Sequence, residues 1–336
     1  MAVYTHLAAE DLAQLISYYE VGQLISAKGI AEGVSNSNWL IETTGATGSA
    51  RGTDNAGTRF ILTMYERRID NADLPFFLGL LDHLADHDCP VPRTIHDRTG
   101  AAYRMIDDKA VALIEFLPGV SVDHPSPAQA RSVGQALAKI HLAAGNFGQS
   151  RYQTLGLAAW DDLIHKCGAV ALAIIDPSLP DIAFEELGWL AGEWPGGLPH
   201  GVSHCDLFPD NVLMLDNEVS GLIDFYFAAN EIFAYDLAVT HAAWSFEAGG
   251  DVFRPEISAA LIAGYDAVRP LSQDERDCLP ILARGACMRF LSSRAEDWIS
   301  TPEDALVSRK DPMDFARRLA FYRENGTAAF GADTAR

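Results

Sequence analysis

The sequence predicts an α+β protein with two lobes: a small N-terminal lobe around an antiparallel sheet and a larger, mainly helical C-terminal lobe. The chain has 336 residues, a length that suggests two domains or one domain with two lobes. Strand-like segments dominate its first third, and helical apolar spacing dominates from about residue 125. We therefore expect an N-terminal lobe of residues 1–117 and a C-terminal lobe of residues 118–336.

The N-terminal lobe opens with "MAVYTHLAAEDLAQLISYYEVG", whose helix-like spacing and acidic residues predict a first helix rather than a targeting segment. "GQLISAKGIAEGVSNSNWLIETT" (22–44) then predicts two strands around a turn, and "RFILTMYER" predicts a third. A helix is expected in "LPFFLGLLDHLADHD" (74–88), and further strands follow in residues 89–119. These segments predict a small antiparallel sheet.

The C-terminal lobe starts with "SPAQARSVGQALAKIHLAAG", which has the Ser-Pro start, amphipathic body and late Gly of a capped helix. The stretch 211–225 is typical of a buried β-hairpin. Helical spacing recurs in six later segments: 158–175, 182–194, 235–247, 255–268, 274–296 and 312–324.

Composition and charge exclude several classes of protein. The net charge of −21 argues against nucleic acid as a partner, and no apolar run reaches the roughly 20 residues that cross a bilayer. Five cysteines are an odd number without the spacing of a zinc site, so a disulfide framework is not expected. A protein of the cytoplasm is expected.

The most informative stretch is "SHCDLFPDNVLMLDNEVSGLIDFYFA" (203–228). It contains the pattern H-x-D-x-x-x-x-N, which begins at His204 and includes Asp206 and Asn211, and Asp224 follows an apolar segment. Phosphoryl transfer needs a carboxylate that orients the attacking hydroxyl and oxygen ligands for magnesium. The alternative is that these residues only form turns. The strand ending in "LIDF" and the mixed lobe ahead favour the catalytic interpretation.

On these residues the chain resembles the aminoglycoside phosphotransferase/choline kinase superfamily, whose fold is similar to that of protein kinases. The resemblance implies that Asp206 is the catalytic base and that Asn211 and Asp224 bind Mg²⁺. It implies supporting roles for His204 in the catalytic loop and for Asp236, in "AYDLA", which we expect to fasten the segment after the metal site.

Within this superfamily the chain looks like the bacterial homoserine kinases. The similar segments are "VGQLISAKGIAEGVSNSNWLIETT", "FILTMYERR", "LPFFLGLLDHLADHDCPVP", "IEFLPG", "HCDLFPDNV" and "GLIDFYFA". The resemblance implies ATP-dependent phosphorylation of the side-chain hydroxyl of L-homoserine to O-phospho-L-homoserine, in threonine biosynthesis. Two alternatives stay open: a kinase acting on choline, an aminoglycoside or another amino alcohol, and a nucleotide-binding scaffold without turnover.

The nucleotide is expected at two segments of the N-terminal lobe. In "EGVSNSN" (32–38) small residues would let backbone N–H groups approach phosphate oxygens, although a purely structural hairpin has the same composition. In "IEFLPG" the backbone of Glu115 and Leu117 is expected to hold adenine, unless this is only a buried strand before a Pro-Gly turn. The predicted phosphate ligands are Gly33, Ser35, Asn36 and Ser37.

One residue departs from the superfamily pattern. In the superfamily, the third strand normally presents a lysine to the nucleotide phosphates. In this chain, Thr63 occupies the corresponding position in "FILTMYE". Lys28 on the first strand is the nearest lysine that could replace it, while Arg67 and Arg68 directly follow the third strand. The superfamily also normally has an acidic residue on the helix after the third strand. Asp73 is the candidate for that residue here.

The acceptor carries an ammonium and a carboxylate group, so complementary charges are expected. Arg284, Arg289 and Arg294 lie on one predicted helix; Arg289 is the preferred carboxylate ligand, with surface ion pairs as the alternative. The other candidates follow the metal aspartate: Tyr226 and Phe227 as walls of the site, or as core residues, and Asn230 and Glu231 as ligands of the ammonium group.

Overall fold

A computed structural model describes residues 7–30, 36–45, 58–66, 69–301 and 309–331. The chain forms two compact units, Met1–Pro118 and Gly119–Arg336. The first unit is built on an antiparallel sheet and the second is mainly helical, which confirms the predicted fold class. None of the helices in the described ranges is both long enough and apolar enough to cross a membrane.

The first unit contains a six-stranded antiparallel sheet in the order β1-β2-β3-β6-β4, with β5 also paired to β6. The elements are α1 (Ala9–Ile16), β1 (Leu24–Ile30), β2 (Asn36–Thr43), β3 (Thr58–Tyr65), α2 (Leu74–Asp86), β4 (Thr94–Ile95), β5 (Arg104–Ile106) and β6 (Lys109–Glu115). The predicted first helix, sheet and following helix are all present.

Alternation along the strands separates an apolar face from a more polar one. Trp39 of β2 pairs with Leu62 of β3, and both belong to the core cluster, together with the apolar side of α1. Because side chains alternate between the two faces, the next pair, Asn38 and Thr63, points to the opposite side. Lys28 of β1 pairs with Leu40, two residues from Asn38, and so shares this second face.

The second unit contains seven α-helices and four strands within its described residues. The helices are α3 (Pro127–Ala144), α4 (Leu157–Ile175), α5 (Leu179–Glu193), α6 (Phe233–Trp244), α7 (Pro255–Val268), α8 (Gln273–Ser300) and α9 (Met313–Asn325); the strands are β7 (His200–Ser203), β8 (Val212–Leu215), β9 (Glu218–Leu222) and β10 (Ala229–Ile232). All six later helices predicted from spacing are present, and β8–β9 is the predicted hairpin. The antiparallel pair β7–β10 was not predicted.

Two glycines let helices α3 and α7 pack with their backbones in contact. A Cβ atom on Gly134 would lie 2.2 Å from the carbonyl oxygen of Leu261, and one on Gly264 would lie 2.1 Å from that of Arg131. These distances are far below van der Waals contact, so only glycine fits at either position. The close approach brings His141 of α3 within 2.7 Å of the Tyr265 hydroxyl of α7.

Candidate active site

Asp236, on α6, fixes the loop that carries Asp206. Residues 203–211, which we call the catalytic loop, follow β7. The buried Asp236 carboxylate accepts hydrogen bonds from the backbone N–H groups of His204 and Cys205, each at 2.8 Å, and from His141 Nε2 at 3.0 Å. Cys205 has a φ of 63°, a left-handed conformation that these bonds help to hold. Asp236 lies in the segment that follows Asp224, so these bonds tie that segment to the loop just before Asp206.

The hydrogen bonds define the charge states around Asp236. Burial opposes its ionisation, but the bonds from His141 and the backbone outweigh burial and lower the pKa of the Asp236 carboxyl. Burial lowers the pKa of His141, so this ring is neutral, donates from Nε2 and accepts from the Tyr265 hydroxyl at Nδ1. From the sequence, His141 is expected only to pack against or cap a helix; the contact with Asp236 could not be predicted, because the spacing within α3 says nothing about α6.

His204 joins the catalytic loop to the end of the β8–β9 hairpin. Its Nδ1 accepts the backbone N–H of Asp206 at 3.2 Å, and its Nε2 lies 3.0 Å from the carbonyl oxygen of Ile223. The Ile223 N–H in turn donates to the backbone oxygen of Asn211 at 3.0 Å. Burial lowers the pKa of His204, in keeping with a neutral ring. These contacts bring Asp206, Asn211 and the segment containing Asp224 together.

The Asp206 carboxylate is held between an amide and a guanidinium. Asn211 Nδ2 donates to the Asp206 backbone oxygen at 2.8 Å and to Oδ2 at 3.4 Å. Arg289 Nη2 lies 3.6 Å from Asp206 Oδ1, and Arg289 Nη1 donates to the carbonyl oxygen of Cys205. Burial raises the pKa of Asp206, and the positive charge of Arg289 is the largest opposing influence. The side chain keeps 17% of its surface exposed, so a small hydroxyl compound has access to it.

Asp224 combines an exposed side chain with a raised pKa. It follows β9 in a left-handed conformation, with φ 64° and ψ 55°. Its pKa is raised to about 7, first because surrounding protein atoms displace water from part of the carboxylate and then because Asp206 and Asp210 are negatively charged. Excess negative charge beside the Asn211 amide is the environment in which a divalent cation is stabilised. The residues therefore fit Mg²⁺.

The sequence predicts two metal ligands, Asn211 and Asp224. The described residues contain no group of three or more His, Cys, Asp or Glu side chains arranged for a metal. A set of one Asp and one Asn is consistent with this, because Mg²⁺ in phosphotransfer sites takes its remaining ligands from phosphate and water.

The structure corrects the predicted role of Arg289. Its side chain is only 3% exposed, and its guanidinium is already engaged with Cys205 and Asp206. The rings of Phe227 and Phe290 lie 5.5 Å and 4.7 Å from its central carbon atom and hold it in place. Arg289 therefore belongs to the support of Asp206, and binding of a substrate carboxylate is not supported.

The other predicted acceptor ligands differ in availability. Asn230 is tied to Arg151: its Oδ1 accepts the Arg151 N–H at 2.8 Å and its own N–H donates to the Arg151 carbonyl at the same distance. Glu231 accepts from the Ile232 N–H at 2.8 Å, and burial raises the pKa of its carboxyl. Phe227 is exposed and Tyr226 is half-buried. Both ammonium candidates are therefore engaged with protein groups, since the Glu231 carboxylate also accepts a hydrogen bond from the Gln153 side chain.

In the first unit, the predicted phosphate ligands are partly engaged with protein groups. Gly33 and Ser35 lie outside the described residues, as do Arg67 and Arg68. Ser37 is buried and donates to Glu66 Oε1 at 2.8 Å, while Lys109 binds Glu66 Oε2 at 2.6 Å. Asn36 is also buried, and its Oδ1 accepts the Glu66 N–H at 3.4 Å. A phosphate-donor role of the Ser37 hydroxyl is not supported.

The remaining candidates for nucleotide binding lie on strands of the sheet or directly after them. Thr63 is buried and donates to Asn38 Oδ1 at 2.8 Å, so a neutral hydrogen bond occupies the place expected for a lysine. Lys28 is exposed on the same face. At the end of β6, the Glu115 N–H donates to the Arg93 carbonyl at 2.9 Å, and Leu117 is half-buried.

The kinase-like fold and the grouping of Asp206, Asn211 and Asp224 define a small-molecule phosphotransferase of the protein-kinase type. Residues 26–271 match the model of the phosphotransferase enzyme family, and the chain belongs to this family. It is 45% identical to a homoserine kinase of Azorhizobium caulinodans over 98% of each chain, and 48% identical to one of Caulobacter sp. strain K31 over 99% of each. A solved structure of amicoumacin kinase in complex with AMP-PNP, Ca²⁺ and Ami has a TM-score of 0.66 at 14% identity, over 96% of this chain and 94% of that one.

Proposed function

We propose that this protein is a homoserine kinase, which transfers the γ-phosphoryl group of ATP to the side-chain hydroxyl of L-homoserine. The observation that carries this proposal is the identity of 43–48% to homoserine kinases over nearly the whole chain, including the part that would bind the acceptor. The product would be O-phospho-L-homoserine, a precursor for threonine biosynthesis, and the cytoplasm is the proposed compartment.

Asp206 is the proposed base. Its carboxylate would accept a hydrogen bond from the acceptor hydroxyl, orient it for in-line attack and take its proton as the new P–O bond forms. Hydrogen bonds from Asn211 and the ion pair with Arg289 restrict the orientation of this carboxylate. Fixed geometry of this kind contributes to the rate because the reacting groups need no further ordering.

Asn211 and Asp224 would hold the magnesium ion. When bound, Mg²⁺ neutralises the charge of the nucleotide phosphates. Asn211 precedes β8 and Asp224 follows β9, so both proposed ligands flank the open end of the hairpin, where the Ile223 N–H donates to the Asn211 carbonyl. Burial, and then repulsion from Asp206 and Asp210, raise the pKa of Asp224, and a bound cation would relieve the repulsion.

The first unit is proposed as the nucleotide-binding lobe, residues 1–117, and the second as the catalytic and acceptor-binding lobe, residues 118–336. Lys28 is the proposed substitute for the third-strand lysine, since it is exposed on the sheet face shared with Thr63. Backbone groups of Gly33, Ser35 and Asn36 would approach the phosphates, and those of Glu115 and Leu117 the adenine. Support for these roles is the resemblance to the family and the strand order.

The acceptor would lie beside Asp206. Glu231 is the proposed ligand of its ammonium group, since burial has already desolvated this carboxylate and makes a paired cation favourable. Tyr226 and Phe227 are the proposed walls of the site.

The direct test is a panel of acceptors incubated with ATP, Mg²⁺ and the protein, with phosphorus NMR of the products. We expect phosphohomoserine and little product from choline, 3-aminopropan-1-ol or an aminoglycoside. Asp206→Asn is the control for contaminating kinases. Phosphorylation of choline or an aminoglycoside in preference to homoserine would support the alternative acceptor, and nucleotide binding without any product would support a scaffold.

A further inference from the structure

A row of hydrogen bonds leads from Asp236 away from the catalytic loop, and we call it the polar chain. His141 of α3 donates from Nε2 to Asp236 at 3.0 Å, and the Tyr265 hydroxyl of α7 lies 2.7 Å from Nδ1 of the same ring. Arg269, at the C-terminal end of α7, donates from Nη1 to the Tyr265 oxygen at 3.2 Å. Asp236, His141 and Tyr265 are buried. Side chains from α3, α6 and the end of α7 thus form one continuous row.

The chemistry of its two ends gives the polar chain a single direction. A guanidinium only donates, so the Tyr265 oxygen accepts from Arg269 and the hydroxyl proton points to His141 Nδ1. An ionised carboxylate only accepts, so the proton of the neutral His141 ring lies on Nε2, facing Asp236. Burial raises the pKa of Tyr265, which keeps its hydroxyl protonated. Both ends require the same arrangement, in which each group donates towards the catalytic loop.

The outer end of the polar chain is tied to the start of α8. Arg269 Nη1 lies 2.8 Å from Glu275 Oε1, and these two side chains are 12% and 2% exposed. Glu275 also completes the cap of α8: its Oε2 accepts the Ser272 N–H at 3.0 Å, and its own N–H donates to the Ser272 hydroxyl at 3.2 Å. The same helix carries Arg289, which pairs with Asp206. Helix α8 is therefore connected to the catalytic loop at two places.

The Phe233 ring restrains two members of the polar chain by packing. It stacks on the His141 ring, with 4.6 Å between the ring centres and an angle of 24° between the planes. The central carbon of the Arg269 guanidinium lies 4.9 Å from the centre of the same ring. Phe233 is the first residue of α6, the helix that carries Asp236. Stacking and hydrogen bonding thus hold His141 and Arg269 in fixed positions relative to α6.

We propose that Tyr265 and Arg269 are positioning residues for phosphoryl transfer. They act through other side chains: they orient the His141 ring, and through it the Asp236 carboxylate, which binds the backbone of the catalytic loop. The inference rests on the proposed function, because it takes Asp206 of this loop as the base. A misplacement of about 1 Å at a reacting group, caused by a distant substitution, can reduce the rate about 100-fold. The rate is therefore the quantity that should respond.

The test is a double-mutant cycle on kcat with Tyr265→Phe, Arg269→Met and the double variant. We expect each single variant to lower kcat about 10-fold, with KM for ATP and for homoserine within twofold of the wild type. Because Arg269 acts through the Tyr265 hydroxyl, the double variant should be no slower than Tyr265→Phe. Arg269→Lys keeps a cationic donor and should recover part of the rate. Effects on kcat that multiply in the double variant would overturn the chain.

Tyr322→Phe is the matched control for loss of a buried hydroxyl. Tyr322 is buried, and its hydroxyl lies 2.6 Å from Nδ1 of His241, another buried histidine of α6. Urea unfolding should show a lower midpoint for both Tyr265→Phe and Tyr322→Phe, whereas only Tyr265→Phe should have a lower kcat. Equal kcat values in these two variants would reduce Tyr265 to a structural role. Tyr265→Phe changes no charge, so this comparison decides the proposal even if Arg269→Met does not fold.

The hydrogen-bond arrangement is tested without any substrate. In NMR spectra of protein labelled with ¹⁵N-histidine, we expect the proton of His141 on Nε2 and a change in the Nδ1 resonance in Tyr265→Phe. A proton on Nδ1 in the wild type would overturn the inferred direction of the polar chain. A wild type that shows the expected arrangement and phosphorylates another acceptor, but not homoserine, would contradict the proposed function alone, because the cycle on kcat can then be measured with that acceptor.

Discussion

Arg289 Nη2 lies 3.6 Å from Asp206 Oδ1, and both residues are enclosed by the same helical unit. The guanidinium also binds the carbonyl oxygen of Cys205, the residue just before Asp206. One side chain therefore restrains both the backbone and the carboxylate of the proposed base. An arginine in this position fixes the direction in which Asp206 faces, while its positive charge compensates a carboxylate that is largely removed from water.

Replacing Arg289 should reduce kcat more than it raises KM for homoserine. Arg289→Lys keeps the charge but loses the second donor, so we expect kcat to fall about 10-fold; in Arg289→Met the buried carboxylate also loses its compensating charge, and the expected loss is about 100-fold or more. Steady-state kinetics on both variants, with circular dichroism to check folding, measures this. The half-buried Arg276 of α8, which pairs with Asp266, supplies a control, Arg276→Met. A rise in KM for homoserine at unchanged kcat would show instead that Arg289 binds the substrate.

Asp206→Asn should abolish most turnover while the protein stays folded. The amide has nearly the same shape but cannot accept the proton, and general-base catalysis contributes about 10²- to 10⁴-fold. We expect a loss of kcat in this range, with KM for ATP changed by less than about threefold. Asp210→Asn, four residues on and exposed, is the matched control and should keep most activity. Equal activity in Asp206→Asn and the wild type would remove Asp206 from the mechanism.

Replacing a proposed metal ligand should raise the Mg²⁺ concentration that the enzyme needs for activity. Asp224→Asn and Asn211→Ala remove one oxygen ligand or its charge, so a higher Mg²⁺ concentration should be needed for half-maximal activity, about 10-fold or more. Activity is titrated with MgCl₂ at saturating ATP. Chelation of the metal should abolish turnover of the wild type, and added Mg²⁺ should restore it. An unchanged Mg²⁺ dependence in both variants would contradict the assigned ligands.

Loss of the Asp236 carboxylate should destabilise the protein as well as the catalytic loop. Asp236→Ala leaves two backbone N–H groups and the buried His141 without their acceptor, and we expect the free energy of unfolding to fall by about 3–5 kcal/mol. Asp236→Asn retains one acceptor oxygen and should lose less. Urea unfolding followed by circular dichroism gives both values. A loss below about 1 kcal/mol in Asp236→Ala would mean that water replaces these bonds.

The sequence was sufficient for features that depend on neighbouring residues along the chain. Helical spacing located α3 to α9 within a few residues, and the H-x-D-x-x-x-x-N pattern located Asp206 and Asn211 on one loop. The contacts that the sequence did not predict have the same explanation, because local spacing contains no information about contacts between distant segments. The pair β7–β10, the contact between His141 and Asp236 and the ion pair of Arg289 with Asp206 join residues that are 26 to 95 positions apart. The charged residues that surround Asp206 come from distant segments, so they can be identified only from the folded structure.

The contribution of the buried, neutral His241 to stability should decline as the pH falls below about 6.5. His241 is fully buried; the Tyr322 hydroxyl lies 2.6 Å from its Nδ1 and the Ser258 hydroxyl 2.8 Å from its Nε2. Burial lowers the pKa of His241 from 6.5 to about 3. Between these values the unfolded chain binds a proton that the folded protein excludes, so the free energy of unfolding falls as the pH decreases from about 6.5 towards 3 and is fully retained above 6.5.

For His241 alone, lowering the pH from 7.5 to 5.5 should cost about 1.4 kcal/mol of unfolding free energy. His141 and His204 have lowered pKa values for the same reason and act in the same direction, whereas the raised pKa of Asp224 acts in the opposite direction, so the contribution of His241 is the difference between the pH dependence of the wild type and that of His241→Gln. Urea unfolding at the two pH values measures it for the wild type, for His241→Gln and for His165→Gln. His165 is exposed on α4, so its replacement should leave the pH dependence unchanged. His241→Gln should have a lower free energy of unfolding than the wild type at both pH values, and this free energy should change less between the two pH values than in the wild type. An equal change in both proteins would mean that His241 is not the group that titrates.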